Sequence, residues 1–97
     1  MAKIVIFGGE SDIATAIKEI EPNTVNISYA ECDVRNSIEI KMVLEMEKPT
    51  AVVNCAGVSN VQLIKDSDIE LWEKEINVNL IGSYRIAREC ANLGIMD

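Results

Sequence analysis

An α/β architecture, an open parallel sheet with helical crossovers, follows from three features of this chain. Short apolar, β-branched runs alternate with segments of helical periodicity, in the order strand, helix, strand, helix, strand, helix. The first and third of these runs are continuous rather than alternating, as in strands covered on both faces. Each of those two runs also ends directly in glycine, at Gly8-Gly9 and at Ala56-Gly57. Ninety-seven residues with 48% hydrophobic content supply a single core, so residues 1–97 are read as one domain or part of one.

Lys3 to Phe7 is the first strand, ended by Gly8-Gly9. Ser11 to Ile20 follows, with Ile13, Ile17 and Ile20 on one helical face and Ser11 or Asp12 as N-cap. Pro22 and Asn23 stop this helix. Val25, Ile27 and Tyr29 alternate with Asn26 and Ser28, giving a second strand over Thr24 to Tyr29. Asn36 and Glu39 stand at capping-box spacing ahead of a helix over Ile38 to Glu47, which Pro49 closes. Thr50 to Cys55 is a third buried strand. Ser67 and Glu70 repeat the capping-box spacing before Leu71-Trp72. A long helical segment then runs from about Ile76 to Leu93, with Leu80, Tyr84, Ala87 and Ala91 as its expected inner face and Gly94 as its stop.

Composition excludes several function classes. Sixteen Asp+Glu against nine Lys+Arg give a net charge of −7, the opposite of a nucleic-acid footprint. With no histidine there is no His base, no Ser-His or Cys-His dyad and no His metal ligand. The apolar runs fall far short of the ~20 residues of a membrane span, and no signal-peptide pattern opens the chain. Cys32, Cys55 and Cys90 are widely spaced and odd in number, without a Cys-x-x-Cys pair. They read as free thiols, which places the protein in the reducing cytoplasm and predicts no metal site.

The chemistry is expected where the strands end. In an open parallel sheet, ligands bind beyond the carboxyl ends of the strands, with a pyrophosphate held on the first helix N-terminus. Gly8 permits a tight turn there, Ser11 can offer its hydroxyl, and the amides from Ser11 to Ile13 can face an anion. A purely structural turn explains this loop as well, because the full Gly-x-Gly-x-x-Gly spacing is absent. Glu31 lies near the position of a ribose-binding carboxylate, and no Lys or Arg stands between Thr24 and Cys32 to take a 2′-phosphate, which leans toward NAD over NADP. A solvated loop carboxylate is the other reading of Glu31. Asp33 can accept from an adenine amino group or cap a helix. Asn54, Ala56 and Gly57 lie in a run of small residues against which a flat ring can lie, or form a tight turn.

Four motifs in order carry a resemblance. Phe7-Gly8-Gly9-Glu10-Ser11-Asp12-Ile13-Ala14 is similar to the Thr-Gly-x-x-x-Gly-Ile-Gly cofactor loop of the short-chain dehydrogenase/reductases. Cys32-Asp33-Val34 is similar to their Asp-Val adenine motif, and Asn54-Cys55-Ala56-Gly57 to their Asn-Asn-Ala-Gly motif. Trp72 followed by Asn77-Val78-Asn79-Leu80 and Gly82 is similar to their Trp…Asn-Val-Asn-Leu-x-Gly segment. The chain thus resembles the N-terminal, cofactor-binding part of that family. The resemblance implies a Rossmann-like half-domain. Gly8, Ser11 and Ile13, with Asp12 in the same loop, would line the pyrophosphate. Asp33 and Val34 would contact adenine, and Asn54, Ala56 and Gly57 the adjoining ribose. Asn79 would be the asparagine of the catalytic tetrad, holding a water in the proton relay. The implied reaction is hydride transfer between a nicotinamide, NAD or NADP, and an alcohol or carbonyl carbon.

The chain departs from the family pattern in three ways. Asp12 and Ala14 replace two loop glycines, which predicts weakened cofactor affinity. The stretch from Pro22 to Asp33 is too short for strand, helix and strand, so the second βα unit is expected to be shortened. The Ser and Tyr-x-x-x-Lys of the family's chemistry are absent, since Tyr84-x-x-x-Arg88 comes too early and reads as a packing tyrosine beside a surface arginine. A natural short product, a gene fragment or a deliberately cut piece would each look like this, and no turnover is expected from it. The strand over residues 50–55 would then be an uncharged edge, which predicts self-association. Two rival readings stand beside this one. One is a non-catalytic nucleotide-binding or interaction module. The other is the front of an extended-type nucleotide-sugar epimerase or reductase.

Overall fold

The computed structural model describes residues 3–58, 65 and 67–95. Strand β1, Ile4–Phe7, is the middle of a three-stranded sheet in the order β2-β1-β3, where β2 is Val25–Ile27 and β3 is Ala51–Asn54. Both neighbours run parallel to β1. Phe7 pairs with Ile27 on one side and with Asn54 on the other, so the three carboxyl ends finish at one level.

Helix α1, Asp12–Ile20, connects β1 to β2, and helix α2, Ser37–Glu47, connects β2 back past β1 to β3. The strand order reverses at β1, and right-handed crossovers then place α1 and α2 on opposite faces. Between β2 and α2 the chain makes only turns, so the stretch from Pro22 to Asp33 holds one short strand and no helix, as its length predicts. Ser11 caps α1, its Oγ accepting from the Ala14 amide at 3.2 Å. Asn36 caps α2, its Oδ1 accepting from Ile38 and Glu39. The capping box is not reciprocal, because Glu39 Oε1 accepts from the Asp33 amide at 3.4 Å instead.

The core lies on the α2 face. Val5 and Phe7 project from β1 into a cluster with Ile27, Ile40, Leu44, Val78, Ile86 and Cys90. Phe7 is fully buried, and its truncation to Ala would cost about 3–5 kcal/mol. On the other face, Ala14 is the buried residue of α1. The Ile13, Ile17, Ile20 stripe marks the helix correctly but gains little cover. Ile13 and Ile20 are 68% and 78% exposed, since α1 is the one helix on its side of the sheet among the described residues. Strand β3 is an edge, with Ala51 exposed and the rest half-buried rather than fully covered.

The last helical stretch corrects two expectations. It begins at Ile69, and Asp68 rather than Ser67 is its N-cap, with Oδ1 accepting from the Glu70 amide at 2.8 Å. It continues as α3 (Ile69–Glu75), a π-helical turn (Ile76–Ile81) and α4 (Gly82–Asn92). Its buried side is Val78, Gly82, Ile86, Glu89 and Cys90. The Leu80, Tyr84, Ala87, Ala91 face points outward, with Leu80 68% and Tyr84 62% exposed. Gly82 shows why this rotation wins. A Cβ there would stand 2.9 Å from Val34 Cγ2, so only glycine lets the helix lie this close to the β2–α2 loop. Among the described residues no helix is long and apolar enough to cross a membrane.

Candidate functional site

The three strand tips enclose a cavity of about 440 Å³. The β1 tip contributes Gly8, Glu10 and Ser11, and the β2 tip Tyr29, Cys32, Asp33 and Val34. Cys55, Ala56, Gly57 and Val58 follow β3, while Lys74 and Val78 come from the last helix. The cavity therefore lies beside the point of strand-order reversal, where open α/β sheets bind ligands.

Gly8 sets the floor. It has φ +72°, and a Cβ there would come within 2.4 Å of the Ala56 nitrogen and 2.5 Å of the Cys55 carbonyl carbon. No other residue lets the loop after β1 pass this close to the tip of β3. Beyond it, Ser11 N donates to Gly8 O and the Ala14 amide is taken by the Ser11 cap. The amides of Asp12 and Ile13 have no acceptor among the described residues. They are donors at the positive end of α1. The side chains of Asp12 and Ile13 do not line the cavity. Asn26 holds the loop from below, its Nδ2 donating to Gly9 O at 3.0 Å and Ala14 O at 3.3 Å.

At the β2 tip, Asp33 is clamped by Arg35. Arg35 Nε donates to Oδ1 at 3.0 Å and Oδ2 at 3.1 Å, and Nη2 donates to Oδ2 at 2.7 Å. These bonds hold the Asp33 carboxyl below the usual carboxylate range and the Arg35 guanidinium above its own. Arg35 Nη2 also donates to the Tyr29 hydroxyl at 2.9 Å. Glu31 is turned elsewhere. Its Oε1 accepts from the Ser28 amide at 3.0 Å, which lowers its pKa, and it is not among the lining residues. Glu31 thus caps a turn in the short β2–α2 connection.

Two predicted site residues build the walls instead of lining them. Asn54 Oδ1 accepts from the Ala56 amide at 2.9 Å, and its Nδ2 donates to Ser83 Oγ at 3.0 Å. Asn79 receives the Val58 amide on Oδ1 at 2.9 Å and donates Nδ2 to Val58 O at 2.8 Å. Asn79 sits in the π-helical turn, whose wider register leads Gly82 N to Asn77 O. The Ser83 hydroxyl donates to Asn79 O at 2.8 Å. Tyr84 does not line the cavity, and instead of packing inward it is exposed on the outer face of α4.

Gly8, Ser11, Asp33, Val34, Ala56 and Gly57 all line this cavity. Glu10, Tyr29, Cys32, Cys55, Val58, Lys74 and Val78 are lining residues that the sequence does not single out. In the sequence Tyr29 is only the last residue of an alternating run. Val78 carried a usable signal, since it stands inside the Asn-Val-Asn motif. Burial pushes the Cys32 thiol up to about 11, with the Glu39 and Asp33 charges adding to it, and burial likewise raises Cys90.

The known proteins that this chain is similar to agree with the geometry. The family model described as short chain dehydrogenase matches residues 1–96. A "Putative ketoacyl reductase" of Streptomyces coelicolor is 31% identical over 93 residues, covering 91% of this chain and 36% of that protein. A dTDP-4-dehydrorhamnose reductase from Bacillus anthracis, solved in complex with NADP, superposes with a TM-score of 0.81 at 18% identity over 96% of this chain and 33% of its own. A Serratia marcescens short-chain dehydrogenase/reductase mutant, F98L/F202L, gives 0.82 at 14% identity over 94% of this chain and 51% of its own. The two structural likenesses are of fold, and the chain spans from about a third to about half the length of these relatives. The match across residues 1–96 and the parallel sheet with its cavity at the strand tips together show that this chain belongs to the short-chain dehydrogenase family.

Proposed function

We propose that this chain is the dinucleotide-binding front of an NAD(P)-dependent oxidoreductase, with residues 1–97 as its Rossmann-like unit. The observation that carries this reading is the backbone cradle at Gly8, closed against Ala56 and followed by the free amides of Asp12 and Ile13. That donor set fits a pyrophosphate, which needs N–H groups and close backbone approach rather than side chains. A nicotinamide dinucleotide supplies hydride transfer when bound. The chain's own residues bind and orient it. Gly8 and the α1 amides take the phosphates, while Ala56, Gly57 and Val34 form walls for the adenosine half. Asn79 is a positioning residue that holds the Gly57–Val58 segment in place.

Within this class we favour NAD. The Asp33 carboxylate lines the cavity and opposes a 2′-phosphate, and Arg35, the nearby guanidinium, is already spent on Asp33 and Tyr29. Lys74 is the basic residue among the described lining and is the counter-charge for the dinucleotide phosphates. Three free cysteines support a reducing, cytoplasmic setting. The half-buried edge β3 supports self-association through residues 50–55. A second substrate reading, a nucleotide-linked sugar carbonyl, is favoured by the shortened second unit, and dTDP-4-dehydrorhamnose reductases stand among the fold relatives.

A fluorescence titration with NADH tests the proposal. The unmodified protein should enhance and blue-shift NADH emission saturably, and Gly8→Asp should abolish the effect by placing a carboxylate and a Cβ in the cradle. Equal signals from both proteins would remove the cofactor assignment.

A further inference from the structure

We propose that Tyr29 is the stacking wall for the adenine ring, locked in place before any ligand arrives by the Asp33–Arg35 pair. The inference rests on the dinucleotide reading above and names a residue that the motifs of that reading leave out. Tyr29 is 62% exposed and absent from the core, yet its hydroxyl is fixed by Arg35 Nη2 at 2.9 Å. Arg35 in turn is held by Asp33 through three contacts of 2.7 to 3.1 Å, and Asp33 Oδ1 also accepts the Arg35 amide at 2.9 Å. Charge-assisted bonds of this kind restrict a side chain far more than a neutral contact does. The result is an exposed aromatic residue that is not free to swing, at the rim of a cavity whose other lining includes Val34, Val58 and Val78.

An apolar slot with one preset aromatic ring accepts a flat heterocycle. The phosphate cradle lies at the β1 tip, and Tyr29 lies at the neighbouring β2 tip. A ligand with an aromatic base on one side and a phosphate on the other would span the two. Preorganisation lowers the ordering cost on binding, and the Arg35 bond to Tyr29, backed by the Asp33–Arg35 contacts, supplies it.

The test uses 1,N6-ethenoadenosine 5′-monophosphate, whose fluorescence is quenched when its base stacks on an aromatic ring. The unmodified protein should quench the probe saturably. Tyr29→Ala should remove the quench and weaken binding by about tenfold, the usual effect of losing one base-stacking ring. Tyr29→Phe should keep the quench with only a few-fold loss of affinity. Arg35→Met should weaken binding in the Tyr29 background and change little in the Tyr29→Ala background. Circular dichroism of each variant should match the unmodified protein, because Tyr29 contributes nothing to the core. Unchanged quench and affinity in Tyr29→Ala would overturn the assignment of Tyr29 while leaving the cofactor reading intact. Absence of probe binding to the unmodified protein would overturn both.

Discussion

Asn79 grips Val58 with both ends of its amide, receiving the Val58 N–H at 2.9 Å and donating to the Val58 carbonyl at 2.8 Å. The pair copies one rung of a β-ladder with a side chain, and it ties the loop after β3 to the π-helical turn. Gly57 is part of the same contact, since a Cβ there would stand 3.3 Å from Asn79 Oδ1. The cavity wall at Ala56–Val58 thus depends on a residue that does not itself line the cavity.

Asn79→Leu removes both bonds, and Asn79→Asp removes the donor while keeping the shape. Each exposed hydrogen bond contributes about 0.5–1 kcal/mol net. We expect Asn79→Leu to lower the melting temperature by several degrees and weaken NADH binding several-fold, with Asn79→Asp in between. Thermal denaturation and NADH titration on the same samples check this. Unchanged affinity in both variants would show that the wall holds without the clamp.

The Asp33–Arg35 pair predicts an acid limb of stability. Hydrogen bonds from Arg35 lower the folded-state pKa of Asp33, so its contribution is present above the unfolded value of about 3.9 and is lost as pH falls through the lowered folded value. Asp33→Asn should flatten the melting-temperature profile below about pH 4 and leave its shape at pH 6–8 unchanged. The same variant removes the charge that opposes a 2′-phosphate and loosens Arg35. Its NAD-to-NADP affinity ratio should therefore shift toward NADP, several-fold at low salt, as measured by competition against NADH.

The three thiols should react in a fixed order. Cys55 is half-buried, whereas Cys32, which lines the same cavity, and Cys90 are buried. A pKa raised from 9.0 to about 11 leaves roughly 100-fold less thiolate on Cys32 at pH 8 than in the unfolded chain. Iodoacetamide at pH 8 should label Cys55 first in the native protein, and saturating NADH should slow that labelling. Peptide mapping after short labelling times decides the order. First labelling at Cys32 would contradict the burial described here.

Strand β3 predicts the assembly behaviour. Among the described residues β3 has a strand neighbour on one side, β1, and Ala51 is its exposed residue. Ala51→Lys adds a charge to that edge without touching the core. Sedimentation velocity should show concentration-dependent association for the unmodified protein and mostly monomer for Ala51→Lys. A monodisperse monomer at all concentrations of the unmodified protein would contradict it.

The sheet is legible because β-branched runs such as Ile4–Phe7 and Ala51–Asn54 stand between helical segments and end close to glycine, although β3 is only half-buried. The strand tips were legible for the same reason, since glycine and small residues mark where the chain must turn. Gly8, Ser11, Asp33, Val34, Ala56 and Gly57 meet in the cavity because each sits within a few residues of a strand end. Glu31 stays outside the cavity lining because a carboxylate in a tight turn is drawn to nearby amides, here that of Ser28. The inner face of the last helical stretch is not legible, because apolar residues occur on both sides of it and the close approach of Gly82 to Val34 is a tertiary contact. The π-helical turn left no recognisable trace in the residue pattern. Tyr29 and Lys74 enter the cavity through tertiary placement alone, which no local spacing encodes.

The most direct measurement is an amide chemical-shift titration of the isotopically labelled protein with NAD. If the strand tips grip the coenzyme, the largest changes should fall on Gly8, Asp12, Ile13, Val34 and the 55–58 segment, with the α1 amides moving downfield as the phosphates dock. Changes confined to the opposite end of the sheet, or spread evenly over the surface, would contradict this.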